Sequence, residues 1–308
     1  MKLGRAEFLK GLAATAVLPS IGCVNAGASG PKGRFLFGAC RPLRDAALLK
    51  RVGFDFIECS AADAFLPKEG EEAWKRQREK IQALPLPLRS CNGFLPGTFR
   101  LTGPKADFAP ALAYAETVLR RAEEVGVKCI VFGSGGARNV PGDMTLKGEE
   151  RPDTERGRAQ YTEFCRLLCD RVKDLRTVEI VIEPLRPRES NIINYVWEGA
   201  QICREVNSPR LKCLADIFHM MMGHDEPDSL LKAGANLRHC HIASYETRSY
   251  PGSDPKDVER FRPYFDALRQ IGYAGGISCE CKFSDGWNAD AATLERTLPV
   301  ALATLKSL

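Results

Sequence analysis

The 308-residue chain has no stretch of about 20 uninterrupted apolar residues, which excludes a polytopic membrane protein. Strong charge of either sign is missing too: 44 Lys and Arg stand against 39 Asp and Glu, and a net +5 is too slight to make nucleic acid the main partner. No C-x-x-C pair with zinc-finger spacing occurs, and no G-x-G-x-x-G follows the first apolar run. Gly133-Ser134-Gly135-Gly136 lacks the Lys and following Ser/Thr of a Walker loop, so it reads as a tight turn or as backbone beside a ligand. Histidine is scarce, at four. There is no low-complexity linker and no internal repeat. With 44% apolar and 27% charged residues, the composition is that of a globular chain rather than a disordered, collagenous or coiled-coil one.

Cysteine, by contrast, is plentiful at twelve. Cys40, Cys59, Cys129, Cys240, Cys279 and Cys281 sit in or beside apolar runs, where thiols behave as small buried side chains, so free thiols are expected. The N-terminus points to export, where disulfides would be permitted. Lys2, Arg5 and Lys10 precede the apolar Gly11–Gly22, and Ala26-Gly27-Ala28 offers a cleavage site, so residues 1–28 read as an export signal peptide. Gly4–Lys10 resembles a degenerate twin-arginine signal with Ala6 in place of the second arginine. Ser20-Ile21-Gly22-Cys23 is a weak lipobox that makes Cys23 a candidate lipid anchor. The expected location is the bacterial periplasm, or the cytoplasm if this segment is not a signal.

Beyond residue 30 short apolar runs alternate with helical patterns. The runs are Arg34–Ala39, Phe54–Cys59, Leu86–Cys91, Lys128–Phe132, Glu179–Glu183, Lys212–Asp216, Leu237–Ile242 and Gly276–Glu280. Helices are expected over Ala106–Val125, Asp153–Leu175, Ile192–Val206, Asp257–Ile271 and Ala289–Leu308. Such alternation implies parallel strands with crossover helices. Eight units in a chain of this length fit an α/β fold, a single (β/α)8 TIM barrel over residues 31–308, better than an open sheet.

Runs five to eight each carry a potential metal ligand at or one residue before their end: Glu183, Asp216, His241 and Glu280. Three carboxylates converging in a barrel mouth would be costly without compensation, and one divalent cation would supply it. An oxygen-rich set with one imidazole suits Mn2+, Mg2+, Co2+ or Zn2+. Asp216 and His219 are close enough in sequence to face one cavity. His239 and His241 share a strand face, which puts His239 one layer deeper, behind the ligand. Glu58 is next to the end of the second run, where it either reaches the substrate cavity or makes a structural ion pair. Trp287 either packs or borders the mouth, and His224 lies in an exposed polar loop.

Gly53–Glu58, Val131–Arg138, Ile182–Leu185, Asp216–His219 and His239–Ile242 together resemble the sugar phosphate isomerase/epimerase family, the xylose-isomerase-like barrels, over nearly all of Arg34–Leu308. The resemblance implies one divalent metal on Glu183, Asp216, His241 and Glu280. It also implies Glu183 and Glu280 as the acid–base pair, His219 on substrate oxygens, and Arg248 as a substrate contact from the loop after strand seven. Homo-oligomers are implied in the same way.

A metal-bound carbonyl acidifies the neighbouring C–H. One carboxylate then removes that proton and a second returns it, through an enediolate. Return at another carbon gives isomerisation, and return on the other face gives epimerisation. The expected enzyme is therefore a metal-dependent isomerase or epimerase of a small carbohydrate. Loss of a β-substituent would instead make it a lyase or dehydratase of a keto-sugar or inosose. Export and the lack of a clear phosphate cradle favour an unphosphorylated sugar. An apurinic-site endonuclease of the same barrel class would need more histidines and more metals, and a non-enzymatic sugar-binding barrel would need no metal.

Overall fold

The eight apolar runs close into one cylinder. In the computed structural model, which describes residues 34–308 apart from 146, 149, 150 and 285, the strands are β1 (Leu36–Cys40), β2 (Phe56–Ser60), β3 (Leu88–Asn92), β4 (Cys129–Phe132), β5 (Glu179–Ile182), β6 (Leu211–Asp216), β7 (Leu237–Ile242) and β8 (Gly276–Cys279). Each pairs in parallel with the next, and β8 closes on β1. Residues 1–28, which read as an export signal, lie outside the described residues, and Cys23 with them.

The long crossover helices form where expected, at Phe108–Glu124, Thr154–Arg171, Val196–Val206, Asp257–Gln270 and Ala291–Lys306. Three open on an aspartate that accepts a backbone N–H of the first turn: Asp107 from Ala109, Asp153 from Arg156 and Asp290 from Thr293. The first three strands begin two residues later and end one residue later than the apolar pattern predicts. Local chemistry explains the shift. Phe54 closes the helix Ala46–Val52 by bonding Leu49, the Asp55 carboxylate accepts the Phe37 amide, and Pro87 has no N–H for the ladder.

The barrel interior is divided by chemistry. Cys129, Val131, Val181 and Leu214, on β4 to β6, form a small apolar plug separate from the main core. On the opposite wall Glu58, Ser90, His239, His241 and Ser278 are fully buried polar groups. Phe56 fills the space between them and the barrel floor, and it does so because Gly38 and Gly276 carry no side chain. A Cβ at Gly38 would lie 2.2 Å from the Phe56 ring. Gly38→Ala should therefore cost about 1–3 kcal/mol in denaturant unfolding. An unchanged midpoint would contradict this packing. The eleven described cysteines are free thiols, and all but Cys40 are buried.

Candidate active site

The C-terminal ends of β5 to β8 gather the side chains that the strand ends predict. Glu183 and Glu280 directly follow β5 and β8, Asp216 ends β6, and His241 is the penultimate residue of β7. Each offers one ligand atom, and the four atoms lie within 4.8 Å of one another. His241 Nδ1 stands 3.3 Å from Glu183 Oε1 and 3.6 Å from Glu280 Oε2.

Backbone geometry holds each group. Gly133 makes room for Glu183, since a Cβ there would meet Glu183 Oε2 at 2.2 Å. The buried Arg138 guanidinium donates to the Glu183 carbonyl at 2.8 Å and also bonds Ser190 and Ile193. The Gly133–Gly136 stretch is thus both a tight turn and the backbone wall beside this carboxylate. Asp216 caps the helix Ile217–Gly223 with one oxygen, Oδ1, which accepts from Phe218 N at 2.8 Å, leaving Oδ2 for the site. Asn92 donates to Glu280 Oε1 at 2.8 Å.

His219 is buried, with Nε2 3.5 Å from Asp216 Oδ2. Burial pushes its imidazole down to about 4, so it is neutral at pH 7. Arg248 donates to Glu280 Oε2 and lies 3.8 Å from Asp216. Its guanidinium is sandwiched between the rings of Phe218, at 4.9 Å, and Trp287, at 5.3 Å. It keeps a left-handed backbone, φ 55°, a strained conformation for an arginine, and Lys282 N ties that turn to its carbonyl. Trp287, 48% exposed, therefore borders the mouth rather than packing in the core. His224 is exposed, as its polar loop predicts.

Glu58 does not reach the cavity rim, so the expectation of a substrate contact gives way to the ion-pair reading. β2 runs on to Ser60, which places Glu58 a layer below the mouth and out of solvent contact. Both its oxygens are taken: Oε1 by His241 Nε2 at 2.8 Å, Oε2 by His239 Nε2 at 2.7 Å and Ser90 Oγ at 2.6 Å. Burial disfavours its charge, yet the two imidazoles outweigh burial and hold its carboxyl well below the usual range. His239 thus lies behind His241, as expected, and burial lowers its pKa.

Glu189 was not found from the sequence. It lies beyond a proline-rich turn, with no strand to mark it, yet its carboxylate stands 3.9 Å from His219 and 3.6 Å from Arg248. Asn92 falls one residue beyond the end that the apolar pattern gives the third run, so the sequence does not mark it.

The donor set fits a divalent cation. Glu183 Oε1 and His241 Nδ1 are buried and have no hydrogen-bond partner among the described residues, although they face each other. Burial raises the Glu183 carboxyl, with Glu280 adding to the effect, and pushes Asp216 up to about 6. Burial opposes charge on Glu280 as well, but His241 and Arg248 prevail and lower it. His241 is raised by Glu58 and Glu280 against the cost of burial. A crowd of carboxylates around one imidazole is the situation that a cation relieves.

A closed parallel barrel with a Glu–Asp–His–Glu cluster at its C-terminal mouth defines a class of α/β-barrel with an enzyme-like site. Residues 46–298 match the model of the xylose isomerase-like TIM barrels, and the chain belongs to that family. A probable ketose 3-epimerase of Synechocystis sp. is 28% identical over 252 residues, which span 81% of this chain and 82% of that protein. The L-ribulose 3-epimerase of a Methylomonas species is 27% identical over 245 residues, 79% of this chain and 78% of that one. The crystal structure of D-psicose 3-epimerase with D-tagatose, from Clostridium cellulolyticum H10, shares the fold with a TM-score of 0.73 at 20% identity, over 89% of this chain and 99% of that one.

Proposed function

We propose that the chain is a divalent-metal-dependent epimerase of an unphosphorylated ketose or keto-sugar, acting after export. The observation that carries this reading is the convergence of four donor atoms within 4.8 Å, with Glu183 Oε1 and His241 Nδ1 buried and without a hydrogen-bond partner among the described residues. The relatives named as ketose and ribulose 3-epimerases support it.

Glu183, Asp216, His241 and Glu280 would hold the ion, which when bound draws charge from the sugar carbonyl and stabilises the enediolate. Glu183 and Glu280 stand across the mouth on β5 and β8. One carboxylate takes the proton next to the carbonyl, and the other delivers one to the opposite face of the same carbon. Arg248 fixes the Glu280 carboxylate. His219, neutral, and Glu189 line the same space and are placed to bond sugar hydroxyls. Arg41, Arg186 and Arg248 are each held by a carboxylate, namely Asp45, Glu189 and Glu280, which favours a neutral sugar over a phosphate ester.

The test is an assay of the Mn2+-loaded chain on free ketoses, 3-keto-sugars and inosose. Epimer interconversion is expected, whereas activity confined to sugar phosphates would overturn the substrate class, and release of water would make the enzyme a lyase. Glu58→Gln should keep the hydrogen-bonding shape behind His241 but remove its charge. Calorimetric titration with Mn2+ should then show affinity about 10–100-fold weaker, and unchanged affinity would leave Glu58 a purely structural residue.

A further inference from the structure

We infer a second ligand site, at the opposite end of the barrel from the Glu–Asp–His–Glu cluster, for a compact small-molecule anion bearing two or more phosphoryl groups. The N-terminal ends of β3 to β8 surround a cavity of about 610 Å³. Five cations line it: Arg89 on β3, Lys128 before β4, Arg176 before β5, Arg210 before β6 and Arg238 on β7. Glu179 is the single carboxylate among the lining residues. It is engaged by Arg238 at 3.3 Å. Glu123, on the helix Phe108–Glu124, does not line the cavity and accepts the backbone amides of Arg176, Thr177 and Val178.

A purely structural closure of the barrel floor would match cations with carboxylates. Here Arg89, Lys128, Arg176 and Arg210 share a concavity with no carboxylate in ion-pair contact among the described residues. Their mutual repulsion is a cost that a bound anion removes, and a concave wall concentrates the field that attracts one. Arg89 adds a specific sign of a missing partner, because its Nε is buried and has no hydrogen-bond acceptor among the described residues. Guanidinium forks match phosphoryl oxygens in a paired geometry, and four of the five cations are arginines. Cys129 of the apolar plug lines this cavity, and none of Glu183, Asp216, His241 and Glu280 does, so the two sites share no residue.

Inorganic polyphosphates and phosphate esters of small metabolites share this chemistry. Calorimetric titration of the full metal-loaded chain with pyrophosphate and, separately, with fructose 1,6-bisphosphate distinguishes them. Binding of the bisphosphate alone would identify an ester site, and binding of pyrophosphate would identify an inorganic one. Lys128→Gln/Arg176→Gln, two exposed positions with no part in the catalytic mouth, should weaken that binding at least tenfold while epimerisation of a free ketose continues at the parental rate. Failure of both probes to bind, or binding of equal strength in the double variant, would overturn the proposal. Because neither the probes nor the variants involve the Glu–Asp–His–Glu cluster, the binding result is independent of whether the proposed epimerase activity is found, and the ketose rate serves only as a control where that activity exists.

Discussion

Glu183→Gln should lower kcat by about a thousandfold or more, and Glu280→Gln should do the same. Positioned acid–base groups contribute about 10²–10⁴-fold, and each of these carboxylates is also a candidate ligand. The substitution is nearly isosteric, so packing is retained. Gly133 still clears the side chain, and Arg138 still holds the Glu183 carbonyl rather than its carboxylate. For Glu280, a glutamine can keep the Asn92 bond but loses the charge that Arg248 faces. Steady-state kinetics with metal content measured on the same samples checks the assignment. A variant that binds metal and keeps near-normal kcat would remove its residue from the proton-transfer role.

The second large effect is expected at Asp216, where one side chain carries two separable duties. Oδ1 caps the helix Ile217–Gly223, and Oδ2 lies beside His219 and Arg248 while the side chain offers one atom to the cluster with Glu183, His241 and Glu280. Asp216→Asn can keep the cap through its amide oxygen while removing the anionic donor. Metal affinity should therefore fall by more than about a hundredfold, beyond the loss typical of groups standing behind a ligand, with unfolding changed little. Dialysis of the parent chain against a chelator should abolish turnover in the same way, with recovery on adding Mn2+. Full activity in metal-free protein would contradict the metal's role, and a collapsed thermal transition in Asp216→Asn would show that the cap had been lost as well.

The residues that sequence alone made legible share one property. Glu183, Asp216, His241 and Glu280 each interrupt or end an apolar run at the same relative place, and a parallel barrel turns equal places along strands into one ring at its mouth. The barrel itself was readable because buried parallel strands leave continuous apolar runs. Glu58 was misplaced for a complementary reason. Runs one to three carry leading residues that close helices or lack an N–H, so the strands lie further along and Glu58 falls below the rim. Its two buried imidazole partners come from β7, a tertiary pairing with no local signal. Glu189 lies in a connecting loop and Arg138 ends the one-turn helix Gly135–Arg138, where position depends on how the chain folds back rather than on any period.

Incubation of the metal-loaded chain with a ketose substrate in D2O, followed by NMR of the recovered sugar, tests the enolising site most directly. Solvent deuterium is expected at the carbon next to the carbonyl, appearing as the epimer forms and disappearing in Glu183→Gln and Glu280→Gln. Epimer formed with its original hydrogen fully retained would contradict proton transfer through these two carboxylates.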